Sequence, residues 1–296
     1  MRILITGASG FIGSQLGQAL AADHDVLGTV FRSRTPLPFP FRVADLTDER
    51  AVADMMRDFK PQVIVHATAL SHVLDCEQDP NAARKINVEA TGRLTRWAER
   101  VHTRLIFLSS DQVFSGKRGM YLESDPSDPI NVYGRTKLEA EHLVLANASG
   151  NLVVRSNSVV GPSKGRGDSF SDWILRHLSR GEKVSLFHDQ YRSPIHVRQL
   201  VRLLHFVCMN PTSGILHAGG LRRMSRADLG YALARSYGLA ADCIEVTDLA
   251  SHASASVMPR DTSFNVARLR QVVPQLKMRP LDDEFVDDAR AAEIRA

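Results

Sequence analysis

The amino-acid sequence predicts an α/β protein, a doubly wound parallel sheet carrying a smaller mixed α/β annex, and three observations predict it. Short apolar runs alternate with helical patterns at least five times in the first half. A glycine-rich turn joins the first run to the first helix. The alternation breaks down after about residue 156. Alternating strands and helices favour parallel strands linked by right-handed crossovers, with helices on both faces. The 296 residues suffice for one large unit, 1–156, and an annex over most of 157–296, with a segment at about 190–210 returning to the first unit.

The first element is the apolar strand Arg2 to Thr6, followed by Gly7-Ala-Ser-Gly10-Phe-Ile-Gly13 and a helical pattern to about Ala22. Strand, glycine turn and helix together make a Rossmann-type dinucleotide site credible. Gly7 permits the tight turn, Gly10 the approach of a pyrophosphate, and Gly13 the packing of helix on strand. Ser9, Phe11 and Ile12 complete the turn, whose helix N-terminus offers free N–H groups to phosphate. A lone motif of this kind also occurs without a ligand.

Asp25 to Val30 is the second strand and runs into Phe31-Arg32-Ser33-Arg34. An acidic residue at this strand end suits the ribose 2′-hydroxyl of NAD, and an arginine suits the 2′-phosphate of NADP. The arginines favour NADP(H), with NAD as the alternative and two solvated loop charges as the bland reading. Asp45 and Leu46 end a third strand; Asp45 either accepts a hydrogen bond from adenine or belongs to the start of the next helix. Gln62 to His66 is a fourth strand, and the small residues Ala67, Thr68 and Ala69 after it let a cofactor lie against the backbone. His66 reads as a structural histidine. A helix is expected from about Pro80 to Val101, with Asn87 bonded to buried backbone.

Leu105 to Leu108 is a buried strand ending in Ser109, Ser110 and Asp111, followed by a Gly- and Pro-rich loop. Tyr133-Gly-Arg-Thr-Lys137 then opens a helix to about Ala148. Four residues apart, Tyr133 and Lys137 share one helix face, so hydroxyl, phenol and ammonium converge on one volume near Leu108. A strand from Leu152 to Arg155 follows, then the flexible stretch Gly161 to Asp168. The annex is expected to hold helices at 170–180 and 197–209, strands at 183–188 and 214–218, a helix capped by Ser225, a strand near Glu245, and a last helix after Leu281.

Bulk properties exclude several functions. The net charge of +4 is spread along the chain, and no basic run carries interleaved aromatics, so nucleic acid is not an expected partner. Three scattered cysteines make neither a disulfide framework nor a thiolate metal site. No signal peptide or membrane-spanning run is seen, which fits a cytoplasmic enzyme without a membrane partner.

The glycine turn and the Tyr133/Lys137 pair resemble those of the extended short-chain dehydrogenase/reductases. Ser109-Ser-Asp-Gln-Val-Phe-Ser-Gly116, Tyr121-Leu-Glu-Ser-Asp-Pro126 and Pro129 to Glu141 resemble the dTDP-4-dehydrorhamnose reductase branch in order and spacing. The resemblance implies a reductase of a nucleotide-linked keto-sugar using NADPH, with Tyr133 as acid, Lys137 lowering its pKa and holding ribose, and Ser110 polarising the carbonyl. It further implies sugar contacts from Ser110, Asp111, Gln112, Asn157 and Arg192, and leaves a homodimer open. Gln112, Asn157 and Gln199 stand where the family usually has tyrosine, an aromatic and an acid, so the sugar is left open. Gln15 stands where some members place a metal-binding glutamate, so no metal is expected. Two alternatives remain: an epimerase of the same superfamily, and a non-catalytic NADP-binding regulatory subunit such as that of methionine adenosyltransferase.

Overall fold

The computed structural model describes residues 1–32, 36–147, 150–164 and 169–293, so Ser33, Arg34 and residues 165–168 of the stretch Gly161 to Asp168 lie outside the described residues. Seven strands form the main sheet: β1 (Arg2–Thr6), β2 (Asp25–Val30), β3 (Phe41–Val43), β4 (Val63–His66), β5 (Arg104–Ser110), β6 (Leu152–Ser156) and β7 (Gly214–Ala218). Their order is β7-β6-β5-β4-β1-β2-β3, and every adjacent pair is parallel. The chain reverses direction across the sheet at β1, between β2 and β4, which opens a crevice at the carboxyl ends of the strands. Register brings those ends level: Thr6 lies beside His66, His66 beside Phe107, and Ser110 beside Ser156.

Both faces are covered, as the unbroken apolar runs of β4 and β5 require. Ile3, Ile5, Val65 and Ile106 pack under Leu16 and Leu20 of the helix Phe11–Leu20, and under Leu200, Leu203 and Leu204 of the helix Val197–Met209. Leu4, Ile64, Leu105 and Phe107 point the other way, onto Met55, Met56, Leu94, Ala140 and Val144. The two sets alternate along each strand with the period of two that a pleat imposes. Burying each such side chain contributes about 1.5–3 kcal/mol.

The annex has its own apolar cluster. Val184–Phe187 pairs in parallel with Ile244–Thr247, beneath Ile174, Leu229, Leu233 and Phe285 from three helices. Ser225 and Asp228 form a reciprocal capping box on the helix Arg226–Ser236. Two short ladders stitch annex to sheet, Ile195–His196 with Val159–Val160 and Tyr191–Arg192 with Met224–Ser225. The helix Val197–Met209 and β7 both lie in the main unit, so the returning segment runs to Ala218.

The expected helix from Pro80 to Val101 is interrupted by a π-helical turn at Lys85–Glu89. This turn carries Asn87, whose Oδ1 accepts from Leu70 N (2.8 Å) and whose Nδ2 donates to Leu70 O and Thr136 Oγ1 (both 3.0 Å). Such turns recur near functional sites, and this one pins the loop after β4 to the Tyr133 helix. The helices Val73–Gln78 and Ala267–Val272 escape sequence analysis because six residues are too few to show a helical period.

Candidate active site

A cleft of about 860 Å³ runs along the carboxyl ends of β1, β2, β4 and β5. Its floor is the turn Gly7 to Gly13, where Gly7 has φ +69 and a Cβ would meet Thr68 N at 2.9 Å. A Cβ on Gly13 would lie 2.3 Å from Gly7 O. Only glycines let strand and helix approach this closely. Gly10 is the N-cap of the helix Phe11–Leu20 and supplies no side-chain cap, so the first-turn N–H groups face the cleft beside Ser9, Phe11 and Ile12. This donor set and shape fit a pyrophosphate.

At the β2 end, Arg32 and Phe31 line the cleft with the guanidinium 4.5 Å from the ring centroid. No carboxylate among the described residues pairs with Arg32. On the adjacent wall stand Asp45, whose Oδ1 accepts from Thr47 N (2.8 Å), and Leu46. Asp48, not Asp45, caps the following helix. Ala67, Thr68, Ala69 and Leu108 form the wall toward the deep end. His66 lies beneath, its Nδ1 2.6 Å from Thr6 Oγ1 and its Nε2 2.9 Å from Thr91 Oγ1. Thr91 spends its proton on Asn87 O, so Nε2 carries the hydrogen and Nδ1 accepts from Thr6. Burial holds its pKa near 3, and the ring is a neutral structural tie.

Tyr133 and Lys137 close the deep end on the helix Val132–Asn147. Asn131 starts that helix, its Oδ1 accepting from Gly134 N at 2.7 Å. A Cβ on Gly134 would lie 2.1 Å from Gln112 O, so a glycine here lets the helix abut the turn after β5. Ser110, at the end of β5, donates its hydroxyl to Asp111 Oδ1 (3.1 Å) and accepts from Gln112 N (3.2 Å). Lys137 is buried, with Nζ 4.0 Å from the Phe107 ring centroid. Burial lowers its pKa to about 7, against the pull of Glu141. Burial also pushes the Tyr133 phenol above its ordinary range; Ser110 opposes this and Asp111 adds to it. The lowering of the phenol by Lys137 expected from the sequence is not felt here: desolvation dominates, and Lys137 is not among the groups acting on the phenol.

The lysine shift has a testable sign. An unfolded lysine keeps its proton up to about pH 10.4, so between pH 7 and that value the unfolded chain binds more protons. Burying Lys137 thus costs stability fully below about pH 7, and the cost fades as pH rises toward 10.4. Lys137→Met is expected to raise the melting temperature of the ligand-free protein, most at pH 6 and hardly at pH 10. Thermal unfolding across that range checks it.

The remaining candidate residues lie behind the cleft. Asn157 is buried, accepting from Ser158 N (2.9 Å) and Ser193 N (3.0 Å) and donating to Thr262 O (2.7 Å). Arg192 is 3% exposed, with Nε 3.1 Å from Asp111 and its other nitrogens on Tyr191 O and Pro259 O. The structure does not bring either to the cleft wall, because their polar groups are spent on the backbone and on Asp111. Gln112 is held by Asn131 Nδ2 (2.9 Å). Gln15 donates to Pro162 O (3.0 Å). Sequence reasoning missed Lys85, Ser71 and His72, which line the cleft from the loop after β4 and the π turn. Their only sequence signal is position after an apolar strand.

Across residues 1–284 the chain matches the family described as the RmlD substrate binding domain. It is 31% identical over 276 residues to methionine adenosyltransferase 2 subunit beta of Bos taurus, covering 90% of this chain and 81% of that protein. A crystal structure of a hypothetical dTDP-4-dehydrorhamnose reductase from Sulfolobus tokodaii is similar with a TM-score of 0.85 and 29% identity, over 96% of this chain and 99% of that one. MoeE5 in complex with UDP-glucose and NAD is similar with a TM-score of 0.84 and 26% identity, over 100% of this chain and 99% of that one.

Proposed function

The chain belongs to the RmlD substrate binding domain family, and on that premise we propose that it is an NADPH-dependent reductase of a nucleotide-linked 4-keto-6-deoxyhexose. The observation that carries this reading is that Tyr133 and Lys137, one helical turn apart, both line the deep end of a glycine-floored cleft. A nicotinamide dinucleotide fits the donor set of the Gly7–Gly13 turn, and when bound supplies the hydride. The first-turn N–H groups hold its pyrophosphate, Arg32 its 2′-phosphate, Asp45 its adenine and Lys137 its ribose hydroxyls. Those acceptors favour the charged form of Lys137, and a restored ammonium in turn draws the phenol down.

The alkoxide that develops on the sugar needs one proton. Tyr133 donates it, and the apolar Leu108 and Ala67 line the cleft there. Gln112 carries no acidic proton, which argues against a dehydratase. The reading as a non-catalytic dinucleotide-binding subunit is favoured by the 31% identity to a methionine adenosyltransferase beta subunit. The intact Ser110, Tyr133 and Lys137 support the reductase over it.

Thermal shift and NADPH oxidation against a panel of nucleotide sugars test the substrate class; a keto-sugar that stabilises the NADPH complex and consumes NADPH is expected. For the cofactor, a charge-assisted bond contributes about 1.5–3 kcal/mol. Arg32→Ala is expected to weaken NADPH about 10- to 100-fold while leaving NADH nearly unchanged. Fluorescence titration of both dinucleotides checks this, and equal losses would remove the 2′-phosphate assignment.

A further inference from the structure

Two guanidiniums flank Gln190 where the annex meets the ends of β5 and β6, and one carboxylate serves them. Arg192 Nε meets Asp111 at 3.1 Å, and Asp111 also accepts from Ser110 Oγ and Thr262 Oγ1. The other guanidinium belongs to Arg226, which opens the helix Arg226–Ser236 and donates its backbone N–H to Gln190 O at 3.1 Å. The Gln190 side chain separates the two. Its Nε2 donates to Pro259 O (3.3 Å), as does Arg192 Nη2 (3.1 Å), and its Oε1 accepts from Arg226 Nε (3.1 Å). Arg226 Nη1 donates to Ser158 Oγ at 2.9 Å. Ser158 lies two residues past Ser156, which lines the cleft and is level with Ser110. The Arg226 guanidinium is thereby held on the annex side of the deep end.

The two are not equivalent. Arg192 is 3% exposed, and its nitrogens are spent on Asp111, Tyr191 O and Pro259 O. Arg226 is half-buried and meets neutral oxygens, Gln190 Oε1 and Ser158 Oγ, with its Cζ 4.5 Å from the Phe170 ring centroid. Among the described residues no carboxylate pairs with it. A guanidinium has five N–H donors, so most of this fork is unspent. A half-buried cation without a counter-charge is costly in the free protein. A phosphate, whose oxygens match the fork in pairs, is the ligand that relieves it. We propose that Arg226, and not Arg192, takes the phosphates of a nucleotide-linked substrate, so that the annex tells a nucleotide sugar from a free sugar. Gln190, Ser158 and the Phe170 ring fix the plane of the fork before the ligand arrives, which lowers the ordering cost of binding. The sugar beyond the phosphates then falls to the deep end, where Tyr133 and Lys137 stand.

The inference rests on the reading of the substrate as nucleotide-linked, and not on the reduction itself. Its test is calorimetric titration of dTDP and of UDP into the protein saturated with NADP⁺, so that the cofactor's own phosphate site is filled. One of the two is expected to bind, and Arg226→Leu to weaken it about 10- to 100-fold, the worth of a charge-assisted bond. Arg226→Lys keeps the charge without the fork and should recover part of the loss. Affinity in the wild type should fall as salt is raised, and Arg226→Leu should flatten that dependence with NADP⁺ binding unchanged. Asp111→Asn with Arg192→Met removes the other pair together and should leave most of the dTDP or UDP affinity. Binding of neither diphosphate, an unchanged affinity in Arg226→Leu, a loss that keeps the wild-type salt dependence, or an equal loss in the double variant would each overturn the proposal. Arg226-dependent binding in a protein that consumes no NADPH with any nucleotide sugar would retain it and remove the reductase reading. NADPH consumed with a free keto-sugar, and neither diphosphate bound, would do the reverse.

Discussion

Tyr133→Phe is expected to lower turnover of NADPH with its sugar substrate about 10²- to 10⁴-fold, the usual worth of a positioned general acid. Phenylalanine keeps the ring and removes only the proton donor. Ser110 cannot replace it, since its hydrogen is given to Asp111, and Lys137 is one helical turn away with its Nζ over the Phe107 ring. Dinucleotide affinity should change little, because the Gly7–Gly13 turn and Arg32 are untouched. The loss therefore falls in kcat with KM nearly constant, the pattern of an interaction made in the transition state. Steady-state kinetics with fluorescence titration of NADPH checks both parts, and full turnover in Tyr133→Phe would remove the acid role.

The largest effect on stability is expected at Glu141, 1% exposed on the same helix as Tyr133. Its carboxylate takes Arg155 Nε at 3.0 Å, Arg155 Nη2 at 2.7 Å and Ser109 Oγ at 2.5 Å, tying the helix to β5 and β6. Arg155 Nη1 is buried without a hydrogen-bond partner, so the guanidinium depends on this carboxylate. Glu141→Ala leaves that charge buried and uncompensated, at a cost of about 3–5 kcal/mol. Glu141→Leu with Arg155→Met removes both charges and should recover most of the loss. Chemical denaturation of the three proteins measures it; a double variant no better than Glu141→Ala would show that the charge is not the cause.

How far the site could be read in advance depended on how local each signal was. The glycine turn, the small residues Ala67 to Ala69, and Tyr133 with Lys137 are set by chain-neighbour geometry, and all line the cleft. The parallel sheet followed from alternation alone, since a crossover helix leaves little choice of topology. Residues that act over long separations were harder. Arg192 meets Asp111 across 81 positions and Asn157 bonds Thr262 across 105, so their partners could not be read from neighbouring residues. The Lys137 shift was equally hidden, because burial is a property of the packed molecule. The π turn at Lys85–Glu89 left no trace, since one extra residue hardly disturbs a helical period.

The central claim is that this cleft reduces a carbonyl with a proton from Tyr133. It is tested most directly with NADPH deuterated at the transferable position and a dTDP-4-keto-6-deoxyhexose, followed by mass spectrometry of the sugar. The account predicts one deuterium on the new carbinol carbon for each NADPH consumed, and loss of that product in Tyr133→Phe. NADPH bound tightly but never consumed, with no deuterium in any sugar of the panel, would contradict it and identify the chain as a dinucleotide-binding subunit.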